Sequence, residues 1–179
     1  MPNHVQNHIK VGGDPQRVQE FLEKVQNDEY GIGTLDFQKI IPMPEDENDP
    51  YHWHIYNWGT KWNAYDYRED EDYSHSETLD FLTAWSAPHP ILEKLAEMFP
   101  ELTFVHEWAD EDLGVNCGRY GYADGERTEE FDLESDRESF EFACAVWGST
   151  PQDMGYVFDE NTQSYHYEEE FEEQEQSAK

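Results

Sequence analysis

The sequence predicts an α+β fold: an antiparallel sheet with two helices on one face, a long acidic and aromatic insertion, and a C-terminal helix plus hairpin. Three patterns point to it. Apolar residues alternate at the start of the chain. Two later stretches carry apolar residues at helical spacing. Asp124-Gly125 joins two strand-like runs.

The elements follow in order. Val5, Asn7, Ile9 and Val11 share one face of a first strand, which Gly12-Gly13 ends. Asp14-Pro15 supplies an N-cap and a proline at the first helical position. Val18, Phe21, Leu22 and Val25 then form the apolar face of a helix. A short strand is expected over 37–41, stopped by Pro42-Met43-Pro44. Residues 45–78 form the insertion, with no clear period. A strand over 79–85 precedes a second amphipathic helix built on Ile91, Leu92, Leu95, Met98 and Phe99. Strands over 102–108 and 115–122 follow, and the Asp124-Gly125 turn leads to another over 128–133. Ser135 and Glu138 have capping-box spacing ahead of a third helix with Phe140, Ala143, Val146 and Trp147 on its face, closed by Gly148. Segments 155–158 and 164–167 make a final hairpin. The order β-α-β, insertion, β-α-β is that of a ferredoxin-like sandwich. The expected organisation is a ferredoxin-like domain over 1–133 with its insertion at 45–78, a packed helix and hairpin over 134–167, and an acidic tail over 168–179.

Composition agrees with a folded chain. Aliphatic residues are sparse, but aromatics reach 15% of 179 residues, and each buried ring removes ~150–250 Å² from water. Charge is the outlier. Against 42 Asp and Glu stand 11 Lys and Arg, a net −31. Such a chain repels nucleic acid and anionic membrane surfaces, and it attracts basic proteins. The charge is uneven: residues 1–44 carry net −2, whereas 45–77, 109–138 and 139–179 carry −8, −8 and −9. Two cysteines make no disulfide framework, and no stretch reads as a signal peptide or a membrane span, so a cytoplasmic protein is expected.

The opening MPNHVQNHIKV, the segment FQKIIPMPE, the block NWGTKWNAYD at 57–66 and TAWSAPHPILEKLAEMFPELTF at 83–104 occur in that order. Together they resemble the YubB-type ferredoxin-like family of phage and conjugative-plasmid proteins. The resemblance spans roughly 1–125 and continues more weakly through Trp147-Gly148 and Gly155-Tyr156. It implies a ferredoxin-like fold and a mobile-element origin, and it transfers no catalytic residue.

The chemistry-bearing motifs favour binding over catalysis. Asn57, Trp58, Lys61, Trp62 and Asn63 gather two indoles, a cation and two amides, a set able to hold a nucleotide-like ligand. The competing reading packs the indoles under the insertion, with the two Asn capping turns. On one helical turn Trp58 and Trp62 would stack. His52-Trp53-His54 on a strand would put two imidazoles on one side, too few for a zinc site without converging partners. Gly31-x-Gly33 lacks a third glycine, Gly59-Thr60-Lys61 has the wrong order for a phosphate loop, and the acidic runs lack calcium-loop spacing. Cys117, on an expected strand, reads as a small core residue. No catalytic set, cofactor or resident metal is expected. The leading expectation is a host-directed binding protein that occupies a basic nucleic-acid-binding surface, a DNA or RNA mimic of counter-defence type. Its expected contacts are Glu69, Asp70, Glu71 and Asp72; Asp110, Glu111 and Asp112; and Glu168, Glu169, Glu170, Glu172 and Glu173. The alternative is a small-molecule-binding domain centred on the NWGTKWNA block.

Overall fold

The structure, a computed structural model, describes residues 2–76, 78–131 and 133–168. Strand β1 (His4–Gly12) is an interior strand of a five-stranded antiparallel sheet. Strands β2 (Thr78–Ala84) and β3 (Thr103–Asp110) flank it, joined by helix α3 (His89–Met98). β1 runs antiparallel to both neighbours, with Val5 opposite Thr83 on one side and Asp110 on the other. This is the split β-α-β unit of the ferredoxin-like fold. Strands β4 (Cys117–Ala123) and β5 (Glu126–Phe131) extend the sheet beyond β3, giving the order β2-β1-β3-β4-β5. Asp124 and Gly125 turn between them at φ +53° and +82°, the paired positive values of a tight hairpin.

Helix α1 (Pro15–Val25) starts as its sequence predicts. The Asp14 carboxylate accepts from the backbone N–H of Gln16 and Arg17, at 3.0 and 3.3 Å. Phe21 and Val25 of α1 and Ile91, Leu92 and Leu95 of α3 bury against Ile9, Leu79, Phe81 and Phe104 of the sheet. The opposite face of the sheet carries helix α4 (Asp136–Val146), whose Ala143 and Val146 pack on Ala109. The hairpin of β6 (Tyr156–Asp159) and β7 (Ser164–Tyr167) leans on α4 through Phe140, which stacks on Tyr165 with centroids 4.8 Å apart.

His8 ties α4 to the sheet. Its Nε2 faces the Val146 carbonyl at 2.6 Å and its Nδ1 faces the Asp80 carboxylate. Both partners accept only, so both ring nitrogens donate and the imidazole is charged. Burial opposes that charge, but the bonds to Asp80 and Val146 outweigh it and raise the pKa.

Two expectations about local structure are corrected. Residues 37–41 form no strand: Phe37–Lys39 is a 3₁₀ turn, with the Asp36 carboxylate accepting from Gln38 N–H at 2.9 Å. Phe37 itself is buried against Trp58 and Phe81. The insertion is also more regular than its sequence suggests, holding helix α2 (Pro50–Asn57) and a 3₁₀ turn at Tyr73–His75.

The outer edge of β2 therefore meets the insertion instead of a full strand. Tyr65 makes one antiparallel bridge there, exchanging both backbone bonds with Leu82 at 3.1 and 3.0 Å. Two residues on, the buried Thr60 hydroxyl donates to Ala84 O at 2.8 Å and accepts from Ala84 N–H at 3.1 Å. A single side chain replaces a ladder pair. Thr60→Val keeps the shape but leaves a buried N–H and C=O unpaired. It should destabilise the protein by ~2–3 kcal/mol in denaturant unfolding.

A second buried polar group sits under α3. Asn7 donates to Thr83 Oγ1 and Val5 O, both at 2.9 Å, so its Oδ1 accepts from His106 Nε2 at 3.0 Å. His106 Nδ1 and the neighbouring His89 Nδ1 are buried without hydrogen-bond partners among the described residues. Burial, then the Arg127 charge, pushes His89 down to about 4; burial, then the charges of His89 and His8, takes His106 well below 6.5. A depressed native pKa means that the native state binds fewer protons than the unfolded chain. The stability tied to these rings is present above 6.5 and is lost as the pH falls toward 4. Denaturant unfolding across that window should show a smaller acid loss in His89→Phe than in the wild-type chain.

Candidate interaction site

Helix α2 begins at Asp49, whose carboxylate accepts from His52 N–H at 3.3 Å, with Pro50 in the first turn. His52 and His54 therefore lie on a helix, two positions and about 200° apart, and not side by side on a strand. His52 Nδ1 pairs with Asp49 at 2.6 Å. His54 stacks flat on Trp58, centroids 4.2 Å apart, and its Nδ1 meets the Lys61 carbonyl at 3.0 Å. Among the described residues, no three His, Cys, Asp or Glu side chains form a metal-binding group.

The helix stops at Asn57, and Gly59 turns the chain at φ +77°. A Cβ on Gly59 would lie 2.8 Å from Pro90 Cδ, so a side chain here would meet both strain and the start of α3. This turn separates the two indoles that sequence spacing would stack. Trp58 goes into the core, 4% exposed, and donates from Nε1 to Ile41 O at 2.8 Å. Trp62 goes to the surface, 37% exposed. The amides do the structural work expected of them. Asn57 Nδ2 bonds Trp53 O, while Asn63 Oδ1 accepts from Phe37 N–H at 2.9 Å and Asn63 Nδ2 donates to Asp36 at 2.7 Å.

Lys61 lies between two rings. Its Nζ is 4.8 Å from the Trp62 centroid and 4.7 Å from that of Trp85. Among the described residues it forms no ion pair with a carboxylate. Trp85 follows β2 directly and holds φ +72°, a left-handed value costly for a residue with a Cβ. Two hydrogen bonds keep it there: Trp85 N–H to Asn3 O at 2.9 Å, and Asn116 Nδ2 to Trp85 O at 3.1 Å. Tyr51 meets the Trp85 edge at 6.2 Å, and Trp62 meets Tyr65 at 6.0 Å. Tyr65 OH faces His4 Nδ1 at 2.5 Å. Burial, then the charges of Glu111 and Asp66, pushes the Tyr65 phenol up to about 12. The result is a continuous surface band of Tyr51, Trp85, Lys61, Trp62 and Tyr65.

The acidic turn after β3 joins this band. Asn3 Nδ2 donates to Asp110 at 3.1 Å and to Asp112 at 3.0 Å, while Asn3 O holds Trp85. Asn116 Nδ2 bridges Trp85 O and Asp110. Glu111 pairs with His4 through two bonds, at 2.9 and 3.0 Å. Asp110 is buried and acts as the joint, whereas Glu111 and Asp112 are exposed. Two sets of residues distant in sequence thus meet in space.

The other expected acidic contacts lie elsewhere. Glu69, Asp70, Glu71 and Asp72 are exposed along the β2 edge of the sheet, next to a depression of about 310 Å³ lined by Asp66, Arg68 and Asp80. Glu71 pairs with Arg68, and Asp72 caps the Tyr73–His75 turn. Glu168 is exposed beyond β7, its N–H on Gly155 O. Glu169, Glu170, Glu172 and Glu173 lie outside the described residues. At the far edge, all six residues of β5 are exposed, including Glu126, Glu129 and Glu130. Beside β5 and α4, a groove of about 470 Å³ is floored by Phe131, Leu133 and Phe142 and rimmed by Glu134, Glu138 and Glu141. Among the described residues the exposed carboxylates are therefore spread over both sheet edges and the turn after β3 instead of one face. Cys117 is half-buried at the start of β4, its Sγ 3.5 Å from Ser139 O, and it packs at the margin of the Ala109, Ala143 and Val146 cluster.

Sequence reasoning missed Tyr51, Trp85 and the β5 glutamates. Nothing local marks Trp85, because its exposure depends on a backbone conformation held from Asn3 and Asn116. The exposed edge at β5 was findable within the expected strand, since a run as polar as Glu126–Glu130 offers no apolar face to bury.

Removing the Asp110 carboxylate should uncouple the turn from Trp85. Asp110→Ala is expected to cost ~2 kcal/mol in thermal unfolding and to alter the Trp85 indole signal by NMR, because three hydrogen bonds lose their acceptor.

A family model described as the ferredoxin-like domain in Api92-like protein matches residues 61–168. No curated protein and no solved structure matches the chain.

Proposed function

The chain belongs to the family defined by the ferredoxin-like domain in Api92-like protein, and on that scaffold we propose an acidic binding protein that occupies the basic, nucleic-acid-binding surface of another protein. The observation that carries this reading is the meeting of exposed indoles with the acidic turn at 110–112. Charge alone attracts without choosing a place. Partly buried Trp and Tyr side chains supply the large, rigid contacts that dominate interface energies. A net −31 then steers a basic partner toward them. The mechanism is competitive, since the same basic surface cannot hold a polyanion and this protein together.

The resemblance of the sequence motifs to YubB-type proteins of phages and plasmids supports a mobile-element origin, with a host partner in the cytoplasm and an inhibitory, counter-defence use. Among the described residues no helix is long and apolar enough to cross a membrane. The spread of carboxylates over both sheet edges argues for steering over imitation of a regular phosphate row.

Lys61 favours a second reading. An ammonium with no carboxylate partner among the described residues, between two indoles, suits a small anionic ligand with a flat ring, such as a nucleotide.

The test is capture of partners from bacterial lysate at low salt, followed by competition with duplex DNA. A retained basic protein that DNA displaces supports the reading. Retention that DNA leaves untouched, or no basic partner at all, removes it. The association rate with the captured partner should fall steeply between ~0.05 and ~0.2 M salt, while dissociation changes little.

A further inference from the structure

We infer that Trp62 and Trp85 form the seat for an arginine side chain of a basic partner, and that Lys61 occupies this seat in the free protein. The inference rests on the reading of the chain as a binder of basic surfaces, and it places the anchor.

Trp62, Trp85 and Tyr51 are 37%, 43% and 41% exposed, so each offers open aromatic surface. Trp85 is held by hydrogen bonds on both its N–H and its C=O in a conformation that a side chain normally avoids. Such an outlier persists only where its surroundings over-determine it, and it fixes the indole before any partner arrives. A rigid, preset aromatic loses little entropy on binding.

The rings already attract a cation. Lys61 Nζ sits 4.8 and 4.7 Å from the two indole centroids. The ammonium has no carboxylate partner among the described residues, so the rings hold it with little help. A guanidinium is the better occupant. It is flat, stacks on an indole, is less strongly hydrated than an ammonium, and pairs with carboxylates through two parallel bonds. Glu111 and Asp112 are exposed on the turn tied to Trp85 through Asn3 and Asn116. Charge complementarity therefore selects a basic occupant, and the ring geometry selects arginine over lysine.

The direction of one effect separates this from an anionic ligand. If Lys61 fills the seat, removing it vacates the rings and strengthens binding of an arginine side chain. If Lys61 is the binding group, removing it abolishes binding.

The experiment uses the full chain with fluorescent nona-arginine and nona-lysine peptides, and ATP as the anionic probe, at about 0.15 M salt, where distant charges are largely screened. Nona-arginine should bind about fivefold more tightly than nona-lysine. Trp85→Ala and Trp62→Ala should each weaken nona-arginine about five- to tenfold and remove the preference over lysine. Lys61→Ala should strengthen nona-arginine about two- to threefold. A charge control, Glu126→Gln with Glu129→Gln and Glu130→Gln, should weaken both peptides equally. In the wild-type chain, which needs no variant to fold, blocked arginine amide should shift the Nε1–H signals of Trp62 and Trp85 and leave Trp58 unmoved.

Equal binding of the two peptides, indifference to Trp85→Ala, or unmoved Trp62 and Trp85 signals would overturn the inference. So would ATP binding that Lys61→Ala abolishes. If the indoles behave as stated but lysate yields no partner that DNA displaces, the functional reading falls and the arginine seat stands. If such a partner is found and binds Trp85→Ala as tightly as wild type, the seat falls alone.

Discussion

The outer edge of β2 is the constraint from which the rest of the molecule follows. A strand with unpaired N–H and C=O groups must find partners or be left as a site for unwanted pairing. Here the insertion supplies them with few residues: Tyr65 bridges Leu82, and the Thr60 hydroxyl serves both backbone groups of Ala84. Those fixed points determine where everything between 57 and 65 goes. Trp58 must turn inward to complete the core, Gly59 must reverse the chain against Pro90, and Trp62 is left outside.

The end of the same strand shapes the other half of the surface. β2 finishes at Ala84, and Trp85 turns out of the sheet with a left-handed backbone. Asn3 and Asn116 hold that turn and reach Asp110, so the acidic turn after β3 and the backbone of Trp85 are tied together. The buried carboxylate is a structural joint, and its exposed neighbours Glu111 and Asp112 carry the charge. Closing a sheet edge and building an aromatic, acidic surface are thus the same local solution.

Electrostatics divides the chain differently. Among the described residues, six of the eleven Lys and Arg side chains are spent locally: Arg17 on Glu20 and Glu101, Lys39 on Asp28, Arg68 on Glu71, Lys94 on Glu97, Arg119 on Glu107 and Arg137 on Glu141. These exposed pairs contribute little stability each. Their effect is to leave the remaining carboxylates unneutralised along both sheet edges. His8 is the exception in kind. It is a charged imidazole held between Asp80 and the carbonyl end of α4, where the helix dipole favours a cation.

Outside the insertion and the segment before it, the sequence by itself determined the regular elements. Alternation in β1, the Asp14-Pro15 cap, the helical spacing of Ile91, Leu92 and Leu95, the Asp124-Gly125 turn and the Ser135 cap are local patterns with local causes, and the structure contains each one. It determined the charge as well, since composition needs no fold. The segment around Phe37 misled because its apolar residues satisfy a 3₁₀ turn as well as a strand, and only packing under Trp58 chooses. Which indole is buried, why Trp85 stands outward, and that Asp110–Asp112 are tied to Trp85 were decided by tertiary structure alone. The reason is physical. The hydrogen bonds that set these positions, from Thr60 to Ala84 and from Asn3 to Asp110 and Asp112, join residues 24 to 109 positions apart, and no local pattern encodes them.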